Sequence, residues 1–366
     1  MRLSEEYEEH GGMTPIAVMT IVAVTFFVAA ILILVLFLNH NNANSHSQSA
    51  SAQPSRPQDS SPVIQNPDTG EDTRGSDLRP DDLDFWDLYP PRESEKPSTE
   101  ESQPEEVVEN DPSTDGKHTL VQNADGKLEW VLISPYLPKH DYDFTKLVCQ
   151  SDLMKYYEDG KQTSYVGVDI SKLQDYVDFV KVKKAGIHFV MLRVGARGYG
   201  TGQLILDDYF SDNIKRATDA GLEVGVYFFS QAISKEEAIE EANMVLQNLG
   251  DYKLTYPVAF DMERIDNDAA RTDKLSRSEK TAIAQAFLDT IAAAGHKTLL
   301  YGNKEWLIKQ VDLSKLTAYD VWYSQETDIP DYPYKFSMWQ YSRSGSVDGI
   351  AGYANMNISF VDYSEK

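Results

Sequence analysis

Cysteine is almost absent from this 366-residue chain: Cys149 stands alone, so no disulfide can form within it, and a small module held by cross-links is excluded. Stability must come from core burial, and the lone thiol is expected to be buried or half-buried. Basic side chains are scarce, 34 Lys and Arg against 58 Asp and Glu, a net charge of -24. The basic stripe that neutralises phosphates is therefore missing, which argues against nucleic acid as a partner. Histidine is sparse as well. Beyond residue 164 only His188 and His296 occur, both at the starts of apolar runs, whereas a zinc or iron site wants two or three together. No G-x-S-x-G elbow, phosphate loop or dinucleotide fingerprint appears. Neither a metal nor a cofactor is expected.

What is present divides the chain into zones. Residues 1–13 are polar and mostly acidic, and Thr14–Leu38 runs without a charge, long enough to cross a bilayer of about 30 Å as a helix. A cleavable signal would have a shorter apolar core of about 7–15 residues after a basic start. This leader has one basic side chain among four glutamates, so an uncleaved anchor is expected. Arg2 is the only basic side chain before the span and Arg56 the next after it, which leans towards the N-terminus inside and the large globular part on the cell-wall side. Residues 39–116 are rich in Ser, Pro, Asn, Asp and Glu and read as an extended, self-repelling linker. Within it, Asp81–Pro91 alternates acids with Phe85, Trp86, Leu88 and Tyr89. That island reads either as a short docking motif for a protein partner or as acidic linker with a few apolar residues.

Residues 117–163 hold short apolar runs punctuated by Asp125-Gly126 and Asp159-Gly160, a pattern of small hairpins. From residue 164 to 366 strand and helix patterns alternate. Three helices end in Ala-Gly, at Gly186, Gly221 and Gly295, each followed by the next apolar run, and glycine is the residue that caps a helix in the left-handed conformation. Eight strands, the first four on a strand–helix repeat, predict an α/β fold: an irregular TIM-like barrel, closed and parallel in type.

In such barrels chemistry sits at the C-terminal ends of strands. Those ends carry Asp169, then Arg193, then Tyr227 and Phe229, then Asp261 with Glu263. Later strands add Tyr301 and Asn303, Trp322 and Tyr323, and Trp339 with Gln340. Asp261 and Glu263 are two apart at the end of an apolar strand, so both point to one face. They suit glycoside hydrolysis, in which one group protonates the leaving oxygen and another steadies positive charge on the sugar. The plainer reading is a solvated strand end paired with Arg264. An acidic and aromatic mouth also fits carbohydrate, whose C–H faces meet rings while its hydroxyls seek amides and carboxylates.

The order of motifs is more specific: Gly167-Val168-Asp169-Ile170-Ser171, the block from Gly186 through Arg193 to Gly195, Ala220–Tyr227, Phe260-Asp261-Met262-Glu263, and the W-Q-Y-S and V-D-G-I pieces between Trp339 and Ile350. In this order residues 165–363 resemble family 25 of the glycoside hydrolases, the Chalaropsis-type lysozymes. That resemblance implies cleavage of the β-1,4 bond between N-acetylmuramic acid and N-acetylglucosamine in peptidoglycan, with retention. It further implies Glu263 as general acid and base, Asp261 as the group that orients the substrate's N-acetyl group or steadies its charge, and Asp169 on the floor of the subsite. Tyr227, Trp322 and Trp339 would be sugar platforms or hydroxyl partners. One position departs from the family's usual G-x-V-D-x-N: Gly352–Asn357 has Asn355 where an acid is often found, which predicts activity that is reduced or shifted in pH optimum. Two other readings stay open, a wall-binding scaffold that keeps the barrel as a lectin, and a hydrolase of another N-acetylated polysaccharide such as chitin.

Overall fold

The apolar runs after residue 164 form strands buried on both faces, which is why they read as nearly continuous Val, Ile, Leu and Phe. The computed structural model describes residues 111–266 and 268–365. The span 14–38 and the Phe85-Trp86 island lie outside the described residues, and among those described no helix is long and apolar enough to cross a membrane.

The chain first makes a hairpin of β1 (His118–Gln122) and β2 (Leu128–Leu132), followed by a small antiparallel sheet of β3 (Leu147–Gln150), β4 (Leu153–Glu158) and β5 (Lys161–Gln162). Both predicted turns are present. Asp159 and Gly160 each have positive φ, as a two-residue hairpin turn with the twist of its strands requires. Cys149 is exposed on β3 rather than buried, because this strand covers nothing with its outer face.

The strand–helix repeat follows: β6 (Tyr165–Ile170), α1 (Phe179–Lys184), β7 (Phe189–Arg197), a short return strand β8 (Leu204–Leu206), α2 (Phe210–Asp219), β9 (Glu223–Phe229), α3 (Lys235–Leu249), β10 (Val258–Asp261) and α4 (Arg277–Ala293). Helix starts are set by side-chain caps, Ser234 on α3 and a Ser276–Glu279 capping box on α4. The ends of α1, α2 and α4 are set by Gly186, Gly221 and Gly295, all with positive φ. Ala238, Ala242, Val245 and Leu249 make the buried stripe of α3 at helical spacing. The second half has strands β11 (Thr298–Asn303), β12 (Asp320–Ser324), β13 (Met338–Gly345) and β14 (Ala354–Ser359), joined by single turns, including a π-helical one at Trp306–Gln310.

Strands β6, β7, β9, β10, β11, β12, β13 and β14 pair in that order, and β14 pairs back with β6. The barrel is closed. It departs from the expected parallel type at one strand: β14 runs antiparallel to both β13 and β6. The link from β13 to β14 is too short for a helical crossover and returns as a hairpin-like connection, so the direction reverses. Consequently the mouth of the barrel receives the C-terminal ends of seven strands and the N-terminal end of β14, with Asn355 opposite Asp169.

Strand alternation sorts the side chains into two layers. Phe189, Met191, Tyr227, Ala259, Leu299, Tyr301, Trp322 and Met338 fill the barrel interior. Val190, Leu192, Val226, Phe228, Val258, Phe260 and their neighbours face the helices. Interior space is tight below the site: a Cβ on Gly167 would lie 2.3 Å from the Phe189 ring.

Candidate active site

Asp169, Asp261 and Glu263 come together in a cleft of about 1150 Å³ at the barrel mouth, with Tyr227, Tyr301, Asn303, Trp322, Gln340 and Asn355 also on its walls. Asp169 sits at the end of β6 in a cradle of amides. Its Oδ2 accepts from Gln340 Nε2 at 2.8 Å and from Asn357 Nδ2 at 2.9 Å, and its Oδ1 accepts from Asn355 Nδ2 at 2.8 Å. Two of these amides have their orientation fixed from behind. The Gln340 carbonyl accepts from Tyr301 OH and Ser324 Oγ, both at 2.9 Å, and the Asn357 carbonyl accepts from Trp322 Nε1 at 2.8 Å. Each must therefore present N–H to Asp169. Burial pushes the Asp169 carboxyl up from the usual carboxylate range, while the three amide donors pull it back. With so many fixed donors, the group is built as an anionic acceptor.

The Asp261/Glu263 pair has the opposite surroundings. Asp261 ends the β10 ladder, and Glu263 lies two residues beyond it, held by its backbone: Gln231 Nε2 donates to the Glu263 carbonyl at 3.0 Å, and Thr272 Oγ1 donates to Gln231 Oε1 at 2.9 Å. Asp261 Oδ1 and Glu263 Oε1 are buried with no hydrogen-bond partner among the described residues. Burial first, then the negative charges of Glu263 and Asp169, push Asp261 well above the ordinary carboxylate range. Glu263 is raised mainly by burial, with Asp169 and Asp266 adding to the rise and Arg343 opposing it. Two acids so placed share their titration, and the second proton leaves against the charge of the first. A carboxyl that holds its proton more tightly than usual can deliver it to a leaving oxygen. His188 and His296 lie at the starts of β7 and β11, at the opposite pole, and among the described residues no group of three or more His, Cys, Asp or Glu could hold a metal.

A family model described as "Glycosyl hydrolases family 25" matches residues 168–350, half of the chain, and spans every barrel strand from β6 to β13. The chain belongs to glycosyl hydrolase family 25. Among curated relatives, "Uncharacterized protein YegX" of Escherichia coli K12 is 26% identical over 198 residues, covering 52% of this chain and 68% of that protein. An "Autolytic lysozyme" of Clostridium acetobutylicum is 24% identical over 192 residues, covering 52% of this chain and 54% of that protein, so the chain spans about half of it. Of solved structures, a family 25 glycosyl hydrolase from Bacillus anthracis is 22% identical with a TM-score of 0.47, covering 58% of this chain and 94% of that one.

Not every candidate residue of this family 25 barrel reaches the cleft. Arg193 is 1% exposed, points into the barrel, and gives its Nε to Asp207 Oδ2 at 2.8 Å; Asp207 follows β8, which folds back over the end of β7 and covers it. Phe229 is packed against Ala196 and Ile265. Trp339 is fully buried on the helix-facing side, its indole donating to the Gln325 carbonyl at 2.9 Å, because strand neighbours point to opposite faces and Gln340 takes the inward one. Tyr323 faces outward for the same reason and reaches only the rim, stacked on Tyr332. Asn303 lies on the cleft wall, but its Oδ1 accepts from the Trp306 amide and starts the π-helical turn. Asn357 and Gln231 were not singled out as site residues, although Asn357 stands in the Gly352–Asn357 motif. Arg343 was also missed. It lines the cleft near Glu326, at 3.6 Å, and its charge acts on all three acids. Counted by alternation from Gln340 it should face outward, but a bulge between Gln340 and Ser342 inverts the parity, and nothing in the local sequence marks that bulge.

Proposed function

We propose that the chain hydrolyses the glycan strands of peptidoglycan, cutting the β-1,4 bond between N-acetylmuramic acid and N-acetylglucosamine with retention of configuration. The observation that carries this reading is the Asp261/Glu263 pair, each with a buried oxygen left unpartnered at the floor of a sugar-sized cleft, beside a third acid built as a hydrogen-bond acceptor. Membership of family 25 and similarity to a protein named as an autolytic lysozyme support the same substrate.

In this mechanism Glu263 gives its proton to the glycosidic oxygen as that bond breaks. The acetamido oxygen of the substrate attacks the anomeric carbon, and Asp261 steadies the positive charge that develops on the ring so formed. Glu263, now a carboxylate, takes a proton from the water that opens this ring, and the configuration is restored. Asp169 keeps its charge throughout and fixes the polar floor. The span 14–38 would hold the enzyme to the membrane with the barrel on the wall side, and the 39–116 linker would give it reach, with Asp81–Pro91 free to engage a protein partner.

Digestion of purified peptidoglycan, followed by mass spectrometry of the products, tests the reading. Wild type should release muropeptides with reducing muramic acid ends, and Glu263→Gln should not. Absence of those ends with wild type, or their equal release by the variant, would sink it.

A further inference from the structure

The β1–β2 hairpin precedes the residues that the family 25 model matches, yet it forms part of the cleft. Leu120, Gln122, Asn123, Asp125 and Leu128 line the same space as Asp261 and Glu263. The hairpin is held firmly there. Val121 is fully buried, Lys309 of the π-helical turn bonds Asn123 Oδ1 at 2.6 Å and Glu129 Oε2 at 2.5 Å, and the Ser134 amide donates to Tyr334 OH at 2.8 Å.

Cross-strand register separates its two faces. Leu120 pairs with Trp130 and Gln122 with Leu128, so these four share one face, while Val121 and Glu129 share the face that packs on the barrel. The first face stays open despite its apolar character: Leu128 is 63% exposed and Trp130 39%. Of the hairpin's charges, Asp125 in the turn is paired by Lys127 at 2.8 Å, and Glu129, on the opposite face, by Lys309. The wall the hairpin offers to the cleft, Leu120, Gln122, Asn123 and Leu128, is thus apolar and amide-bearing, and Trp130, paired with Leu120, continues the same face without lining the cleft. Such a surface matches the C–H faces and acetamido groups of uncharged sugar rings, and it matches charged stem peptides poorly.

We infer that the β1–β2 hairpin is a glycan subsite, in which Leu128 and the Leu120–Trp130 face hold N-acetylated sugar rings beyond the bond that is cut. The assignment rests on the reading that the cleft accepts glycan. It makes the hairpin a length sensor: short substrates fill the acids' end of the cleft, and only longer chains reach the hairpin.

The experiment uses full-length protein carrying Glu263→Gln, to prevent turnover, and calorimetric titration with chitin oligosaccharides of increasing length, which are N-acetylated, neutral and free of peptide. Affinity should rise with length in this parent. Adding Leu128→Ser should weaken binding of the longest oligomer about fivefold, as expected for exposing part of one leucine contact, and leave the disaccharide unchanged. Trp130→Ala should act in the same direction, and because Leu128 projects into solvent, its loss should leave the thermal midpoint in place. Equal binding by parent and variants at every length, equal loss on the disaccharide, or no binding by the parent would overturn the assignment. A loss seen only on chains bearing stem peptides would also overturn it, in favour of peptide recognition. Should wild type release no reducing ends from peptidoglycan while the length-dependent loss persists, the hydrolase reading fails and the subsite stands.

Discussion

Two acidic regions lie side by side in the barrel mouth, and they are built in opposite ways. Asp169 accepts hydrogen bonds from three side-chain amides, two of them locked by Tyr301, Ser324 and Trp322. Asp261 is buried and Glu263 half-buried, yet each keeps one buried oxygen without a partner among the described residues. A satisfied buried carboxylate has a fixed charge and geometry, while an unsatisfied one is unstable until a ligand supplies its partner. The difference separates a group that shapes the site from a pair whose proton, on Glu263, and charge, on Asp261, the reaction uses.

The largest test of that contrast is Glu263→Gln, which keeps shape and removes the transferable proton. Turnover on peptidoglycan should fall by about 100- to 10,000-fold, the range ascribed to general acid–base groups. Asp261→Asn removes a charge rather than a proton carrier, so a loss of about 100- to 1,000-fold is expected, of the size seen when electrostatic stabilisation is deleted. If its loss equalled that of Asn357→Leu, the distinction between the two regions would collapse.

Asn357→Leu strips Asp169 of one donor and leaves the Trp322 indole without its acceptor. Urea denaturation should register a loss of about 1–3 kcal/mol, the cost of orphaned buried polar groups. An unchanged midpoint would mean that Asp169 is not held by this amide. The smallest effect is expected from Asn355→Asp, which sets a second carboxylate against Asp169. Asp169 would then have to ionise beside a second carboxylate, its pKa would rise, and the anionic acceptor would form only at higher pH. The acid limb of the kcat/KM profile should therefore move to higher pH; no movement, or movement the other way, would show that Asn355 does not tune Asp169.

Much of this was legible in the residues themselves. Apolar runs and Ala-Gly helix ends locate the eight barrel strands and the helices of the repeat, because each depends on local periodicity and backbone conformation. The three acids were legible for the same reason, being polar groups at the ends of apolar strands. What was not legible depends on partners far along the chain. Trp339 and Gln340 are adjacent and equally suited to bind sugar by composition, and only strand alternation set against the barrel axis decides that one faces helices and the other Asp169. Arg193 was a reasonable cleft residue until Asp207 claimed it from the β8 return. Arg343 was hidden by a bulge, and the direction of β14 by a short connection whose reversal no residue pattern announces.

The Asp169 cradle also orders events in time. Its three donors lie 171, 186 and 188 residues further along the chain than the acid they hold. A nascent chain that has emerged as far as Gly302 already carries Asp169, Asp261 and Glu263, but has neither β13 nor β14 to close the barrel. Contacts of such sequence separation are costly in loop entropy and form late. Wall-cutting competence would then arrive only with the final ladder, so that neither a ribosome-bound intermediate nor a prematurely terminated chain could act on glycan.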